Sequence, residues 1–170
     1  MADTLGRLGT ISRYAGLATK VFMALLAVAV ALTLALMAAT ALDPEMVLGN
    51  VEDLDTADQV MALCILIIMT AAFGLVALYY AGRLFTNVHR DGTPFKDDNV
   101  KCLERLAVLL LVGTVALPAV GAAAVHFMGL QSDMMFQFNP IMLFMAVLFY
   151  FLSLIFKHGA ALQKESDETL

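Results

Sequence analysis

The residues able to do chemistry are few in this 170-residue chain, and they are scattered along it. The three histidines, His89, His126 and His158, fall on different segments, and there are only two cysteines, Cys64 and Cys102. The sequence has no nucleophile–base spacing, no glycine-rich phosphate loop and no HExxH or CxxC motif. We therefore expect a protein that is not an enzyme and that carries no cofactor.

Two clusters of metal-ligand residue types need a separate interpretation. Thioether and imidazole groups, which suit copper(I), gather at His126, Met128, Met134 and Met135. They lack a regular MxxM spacing, so we favour flexible side chains that fill gaps at a membrane boundary. The acids between positions 43 and 58 lack the ordered spacing and the glycine turn of a calcium loop. Neither cluster is expected to hold a metal.

The composition predicts a membrane protein. Apolar residues make up 61% of the chain and charged residues only 15%, whereas soluble domains have about 45–50% and about 25%. This disfavours a soluble enzyme, a nucleic-acid reader and a disordered chain. Four runs contain no Asp, Glu, Lys or Arg, and about 20 residues suffice to cross a bilayer; these spans are 21–42, 60–82, 106–125 and 141–156. We predict an all-α membrane protein, a four-transmembrane-helix bundle forming a single domain over residues 1–170.

The positions of the basic residues predict the orientation of these spans. All ten Lys and Arg residues lie in segments 1–20, 83–105 and 157–170, and the loops 43–59 and 126–140 contain none. Cytoplasmic segments carry the excess of basic residues, so both termini and the middle loop are expected in the cytoplasm. A signal peptide cleaved near Ala39-Thr40-Ala41 is the alternative, but the first apolar run exceeds the usual length of about 7–15 residues.

The spans offer packing features rather than chemistry. They contain no ionisable acid or base, which disfavours proton-coupled transport, although backbone and hydroxyl groups can line a passive pore. Small residues let helices approach closely in lipid, and they recur at Ala27, Ala31, Ala35, Ala39, Gly74, Gly113 and Gly121. We favour packing within the bundle for these residues, with a homo-oligomer seam as the alternative.

The middle loop and the tail are the most motif-like segments. Asp91-Gly92-Thr93-Pro94 is a turn signal between two stretches that keep helical spacing, which predicts a short cytoplasmic helical hairpin with Phe95 against Val100. Segment 157–170 is polar and is expected to begin as a continuation of the last helix.

These segments carry a family resemblance. Gly92-Thr93-Pro94-Phe95, followed by Asn99 and Leu103, and then the tail from Gly159 to Leu170, resemble the bacterial membrane family catalogued as domain of unknown function 2975. Lys96 stands where that family often has a serine or another small polar residue. The resemblance implies a four-helix protein of the bacterial inner membrane without an assigned activity, and some relatives look like companions of small helix-turn-helix regulators.

The resulting hypothesis is a membrane partner or regulatory component that binds a cytoplasmic protein through its middle loop and tail. Its expected partners are the lipid bilayer and that cytoplasmic protein, with a second copy of the chain as an alternative, and no direct contact with nucleic acid is expected. The alternative is a small oligomeric channel or transporter. The candidate partner-binding residues are Gly92, Pro94, Phe95, Asn99, Leu162, Glu165 and Asp167.

Overall fold

The computed structural model describes residues 2–49, 56–127 and 139–168, and nearly all of them are helical. The helices are α1 (Ala2–Leu42), α2 (Pro44–Leu48), α3 (Ala57–Asp91), α4 (Asp97–Phe127) and α5 (Pro140–Glu168). Each of the four long helices contains one predicted span and is apolar enough to cross a membrane. The fold is therefore all-helical and compatible with a four-helix membrane bundle. The side of the membrane on which each terminus lies remains a prediction.

The long helices extend beyond the apolar spans. α3 has 35 residues, which at about 1.5 Å per residue gives about 52 Å, against a hydrocarbon core of about 30 Å. Its start is fixed by a capping box, in which the Thr56 hydroxyl accepts from the Gln59 N–H and the Gln59 side chain accepts from the Thr56 N–H, both at 3.3 Å. At the start of α5, the Asn139 side chain accepts from the N–H groups of Ile141 and Met142.

The short helix α2 was not expected from the sequence, which predicts a solvated loop from residue 43. The Asp43 side chain caps it by accepting from the Met46 N–H at 3.1 Å. Val47 is buried there with Val60 and Cys64 of α3. Val47 thus packs the first part of this loop against the end of α1 and the start of α3.

The long helices pack in the order α1, α3, α4, α5, with α2 against α1. Among the described helices, α1 and α5 share at most marginal contact. Helices that are adjacent in this order are in contact, whereas the outer faces of α1 and α5 are open.

Buried hydroxyl groups in the helices bond within their own helix. Thr19, Thr33, Thr40 and Thr114 each donate to the carbonyl four residues earlier, at 2.8–2.9 Å. This satisfies the hydroxyl without a partner on the neighbouring helix. These residues act at the helix contacts as small side chains.

The predicted packing residues divide into two groups. A Cβ added at Gly74 would lie 3.2 Å from Leu26, and one at Gly121 would lie 3.3 Å from Leu66, so both glycines lie at helix contacts. Gly113 faces the Phe73 ring even more closely. The alanine series of α1 is different, because Ala39 is half-buried and the other three members are exposed: Ala27, Ala31 and Ala35.

Candidate interaction surface of the middle loop and last helix

The loop between α3 and α4 begins with a glycine that the backbone requires. Gly92 follows the last residue of α3 with a φ of 67°, in the left-handed region. Its N–H donates to the Val88 carbonyl at 3.0 Å, which is the usual way a glycine ends a helix. A side chain at Gly92 would meet no neighbour within 4 Å, so backbone conformation alone makes glycine favourable here.

Asn99 holds the other end of this loop from inside. Its side chain is fully buried, and its Nδ2 donates to the Pro94 carbonyl at 3.1 Å. The Asn99 N–H donates to the Lys96 carbonyl at 2.9 Å. Because the Asn99 side chain faces inward, any contribution it makes to partner binding acts through the shape of the loop.

Phe95 contacts the last helix. The sequence predicts a contact with Val100 and does not indicate this one. Its ring meets the Phe156 ring edge-on, with centroids 5.6 Å apart. A Cβ added at Gly159 would lie 2.6 Å from the Phe95 ring. The absence of a side chain at Gly159 therefore creates the space in which Phe95 lies.

A polar contact accompanies this aromatic one. The Thr93 hydroxyl donates to Gln163 Oε1 at 3.3 Å and accepts from the Phe95 N–H at 3.2 Å. We call the set Thr93, Phe95, Phe156, Gly159 and Gln163 the loop–tail contact. It joins the two segments that carry the family resemblance, although they are about 65 residues apart in the chain.

Charge pairs at the end of α3 complete the loop. Asp91 accepts from Arg90 Nε at 3.0 Å and lies 3.3 Å from Lys96 Nζ. The hydrogen bond from Arg90, with that from Lys96, holds the pKa of the Asp91 carboxyl below its usual value. Lys96 thus pairs across the loop with the last residue of α3.

The remaining candidate residues lie on the part of α5 beyond the predicted span 141–156. Leu162 is 54% exposed, and Glu165 is exposed as well. The side chain of Asp167 lies outside what the structure describes. The structure therefore brings Gly92, Pro94, Phe95 and Asn99 together at the loop, and places Leu162 and Glu165 further along the same α5 extension.

Sequence reasoning missed Thr93, Phe156 and Gln163 as members of this site. Gly159 and Gln163 belong to the quoted tail motif, but nothing in the sequence indicates which loop residue they face. The described residues hold no group of three or more His, Cys, Asp or Glu side chains that could bind a metal. Three methionines of the His126 cluster, for which the sequence favours gap-filling over metal binding, lie outside the described residues: Met128, Met134 and Met135.

Comparison with known proteins identifies the family. A sequence model described as "Protein of unknown function (DUF2975)" matches residues 50–170. The chain belongs to this family. The matched range includes α3, α4, α5 and both halves of the loop–tail contact, and it leaves α1 and α2 outside. No curated protein and no solved structure matches the chain.

Proposed function

We propose that this DUF2975 protein is a non-enzymatic regulatory component of the bacterial cytoplasmic membrane that binds a cytoplasmic protein. The loop–tail contact carries the proposal. It combines the α3–α4 loop and the extension of α5 into one surface, with Phe95 lying in the space above Gly159. A surface built from two distant segments is more rigid than a free tail, and a rigid surface loses less entropy on binding.

The chemistry of the α5 extension supports a protein partner. Beyond position 156 the helix continues to Glu168, which adds about 18 Å at about 1.5 Å per residue. Its side chains are largely polar, and Leu162 is the large apolar residue exposed among them. An apolar centre surrounded by a polar rim is the general layout of a protein–protein interface. A small helix-turn-helix regulator is the partner class that the family resemblance suggests.

The distribution of basic residues predicts that this surface lies in the cytoplasm. Cysteine labelling tests this prediction. In a variant with both cysteines replaced by serine, single cysteines are introduced by Leu162→Cys or Glu45→Cys, both at exposed positions. We expect a membrane-impermeant maleimide to label position 45 in intact spheroplasts and position 162 only in inside-out vesicles. The reverse pattern would invert the topology and exclude a cytoplasmic partner.

Site-specific photo-crosslinking in living cells tests partner binding. A crosslinking amino acid at Leu162 is compared with one at Phe144, which is 65% exposed on the apolar part of α5. We expect position 162, and not position 144, to capture a cytoplasmic polypeptide. The Gly159→Leu variant should lose this product because Phe95 is displaced. Crosslinks from position 162 to lipid or to further copies of the chain alone would refute the proposal.

A second candidate function, the small oligomeric channel, is favoured by one observation. Ala27, Ala31 and Ala35 form an exposed ridge on α1, and small-residue ridges allow close helix approach in lipid. This function predicts ion or solute flux in proteoliposomes that Ala31→Phe abolishes. An oligomer that folds and conducts nothing would exclude it.

A further inference from the structure

A close approach of α1 and α3 places two cations side by side at the edge of the apolar spans. A Cβ added at Gly82 would lie 3.3 Å from Thr19 Cγ2, so the helices nearly touch there. Lys20 follows Thr19 directly before the span 21–42, and Arg83 follows Gly82 directly after the span 60–82. Both cations therefore lie where the apolar spans end, which is the depth of lipid headgroups.

An open groove runs between the two helices at this level. It consists of two adjoining depressions of about 390 Å³ and about 450 Å³, which share Lys20 and Thr86. Arg13 and Lys20 line it from α1, and Arg83 and Arg90 line it from α3. The lining residues include no Asp or Glu.

The positive charge of this groove is largely uncompensated. Arg90 is paired with Asp91. Among the side chains that the structure describes, no carboxylate lies in salt-bridge distance of Arg13, Lys20 or Arg83, and Arg83 lies 6.0 Å from the centroid of the uncharged Tyr79 ring. Like charges that line one groove repel one another, and they repel more strongly beside a low-dielectric membrane than in water. A bound anion would remove this repulsion.

Two further polar side chains line the same groove. The Asn87 side chain is 8% exposed, and its Nδ2 has no hydrogen-bond partner among the described residues. His89 Nδ1, at the far end of the groove, lies 3.0 Å from the Gly9 carbonyl oxygen and connects the start of α1 to the end of α3. A groove with several cations and an unused amide donor, and with no acid, matches an acceptor-only ligand such as a phosphate group.

We propose that this groove between α1 and α3 binds the phosphate headgroup of an anionic phospholipid. Basic pockets between transmembrane helices bind such headgroups because each Lys or Arg is attracted to anionic lipid. The ligand is present at this depth in either leaflet, so the proposal is independent of the orientation of the chain. It is also independent of the loop–tail contact, since the two sets of residues do not overlap.

Native mass spectrometry of the full chain in detergent tests the site, with phosphatidylglycerol, phosphatidylcholine and inorganic phosphate as separate probes. We expect phosphatidylglycerol to bind and phosphatidylcholine to bind far less. The double variant Lys20→Gln/Arg83→Gln should weaken phosphatidylglycerol binding about thirtyfold, as expected for two lost basic contacts. Lys20→Arg/Arg83→Lys should restore binding if the charges rather than the folding of the chain are responsible.

A matched control separates a site from diffuse surface charge. Lys101→Gln/Lys157→Gln removes the same charge from exposed positions near the ends of other spans, and it should leave binding within about twofold of the unsubstituted chain. An equal loss in this control would overturn the proposal. Competition by inorganic phosphate at millimolar concentration, with no preference between the two lipids, would overturn the assignment to a lipid.

Discussion

The two sides of α3 are packed in different ways. On the side of α4 and α5, aromatic rings lie over glycines, with Phe73 on Gly113 and Phe95 on Gly159. On the side of α1, Leu26 lies against Gly74, but the buried α1 side chains among those described are small hydroxyl residues: Ser12, Thr19, Thr33 and Thr40. On the first side, individual aromatic rings fit against individual glycines. On the second side, mostly small side chains allow the two helices to approach closely.

This difference coincides with the extent of the family match. The matched residues 50–170 contain the shape-specific contacts of α3, α4 and α5, and exclude α1. In lipid, burial of apolar area gives little net drive for helices to associate, so specific packing must select the neighbours. We infer that the arrangement of α3, α4 and α5 is the more strongly specified, and that the contact with α1 tolerates more substitution.

The largest effect is expected for Gly113→Ala, which should lower the free energy of unfolding by about 3 kcal/mol, as overpacking does in well-packed cores. The added methyl group would overlap the Phe73 ring. The matched change on the other side of α3, Gly82→Ala, should cost less, because its Cβ would lie 3.3 Å from a Thr19 methyl group. Equilibrium unfolding in mixed micelles titrated with sodium dodecyl sulfate measures both. Equal costs would refute the comparison.

The next effect is expected for Asn99→Ala, at about 2 kcal/mol of unfolding free energy, because the Pro94 carbonyl loses one of its two donors and the fully buried amide leaves a cavity. Asn139→Ala is the control, since Asn139 is an exposed helix cap and a cap is worth about 1 kcal/mol. A cost for Asn99→Ala below that of the control would mean that Asn99 does not hold the loop.

A smaller effect is expected for Phe95→Ala, at about 1 kcal/mol, the order of one aromatic pair. Its signature is local: hydrogen exchange of backbone amides beyond position 156 should accelerate, while exchange in α1 stays unchanged. Combining Phe95→Ala with Gly159→Ala should cost less than the sum of the two single changes, because the ring that Gly159→Ala displaces is gone. Additive costs would show that Phe95 and Gly159 do not share one contact.

The smallest effect is expected for Thr40→Val on the α1 side. The Thr40 hydroxyl bonds to Leu36 of its own helix at 2.9 Å, and valine keeps the shape of threonine. The decrease in the free energy of unfolding should stay below roughly 0.6 kcal/mol, the average contribution of an interhelical hydrogen bond in a membrane protein. A loss comparable to that of Gly113→Ala would show that a polar interaction across the helices holds α1.

Local elements could be predicted because their causes are local. Apolar runs without charge predict the four long helices, and Gly92 with Pro94 predicts the turn between α3 and α4. The short helix α2 was missed because its five residues are too few to show a periodic pattern, although Asp43 followed by Pro44 is a local helix-start signal. The sequence predicts only a local contact for Phe95, with Val100. The contact with Gly159 could not be predicted, because α5 is distant in the sequence and only the tertiary structure brings it to the loop.

The sequence by itself determined that this protein has four long apolar helices and that it belongs to the DUF2975 family. Both follow from residue types in order along the chain, since hydropathy and backbone hydrogen bonding act over a few turns. Only the tertiary structure decided which small residues contact a neighbouring helix. Gly113 and Gly159 accept aromatic rings, whereas Ala27 and Ala31 face outward. Spacing along one helix defines a face, but the partner of that face depends on the shapes of side chains brought from elsewhere in the chain.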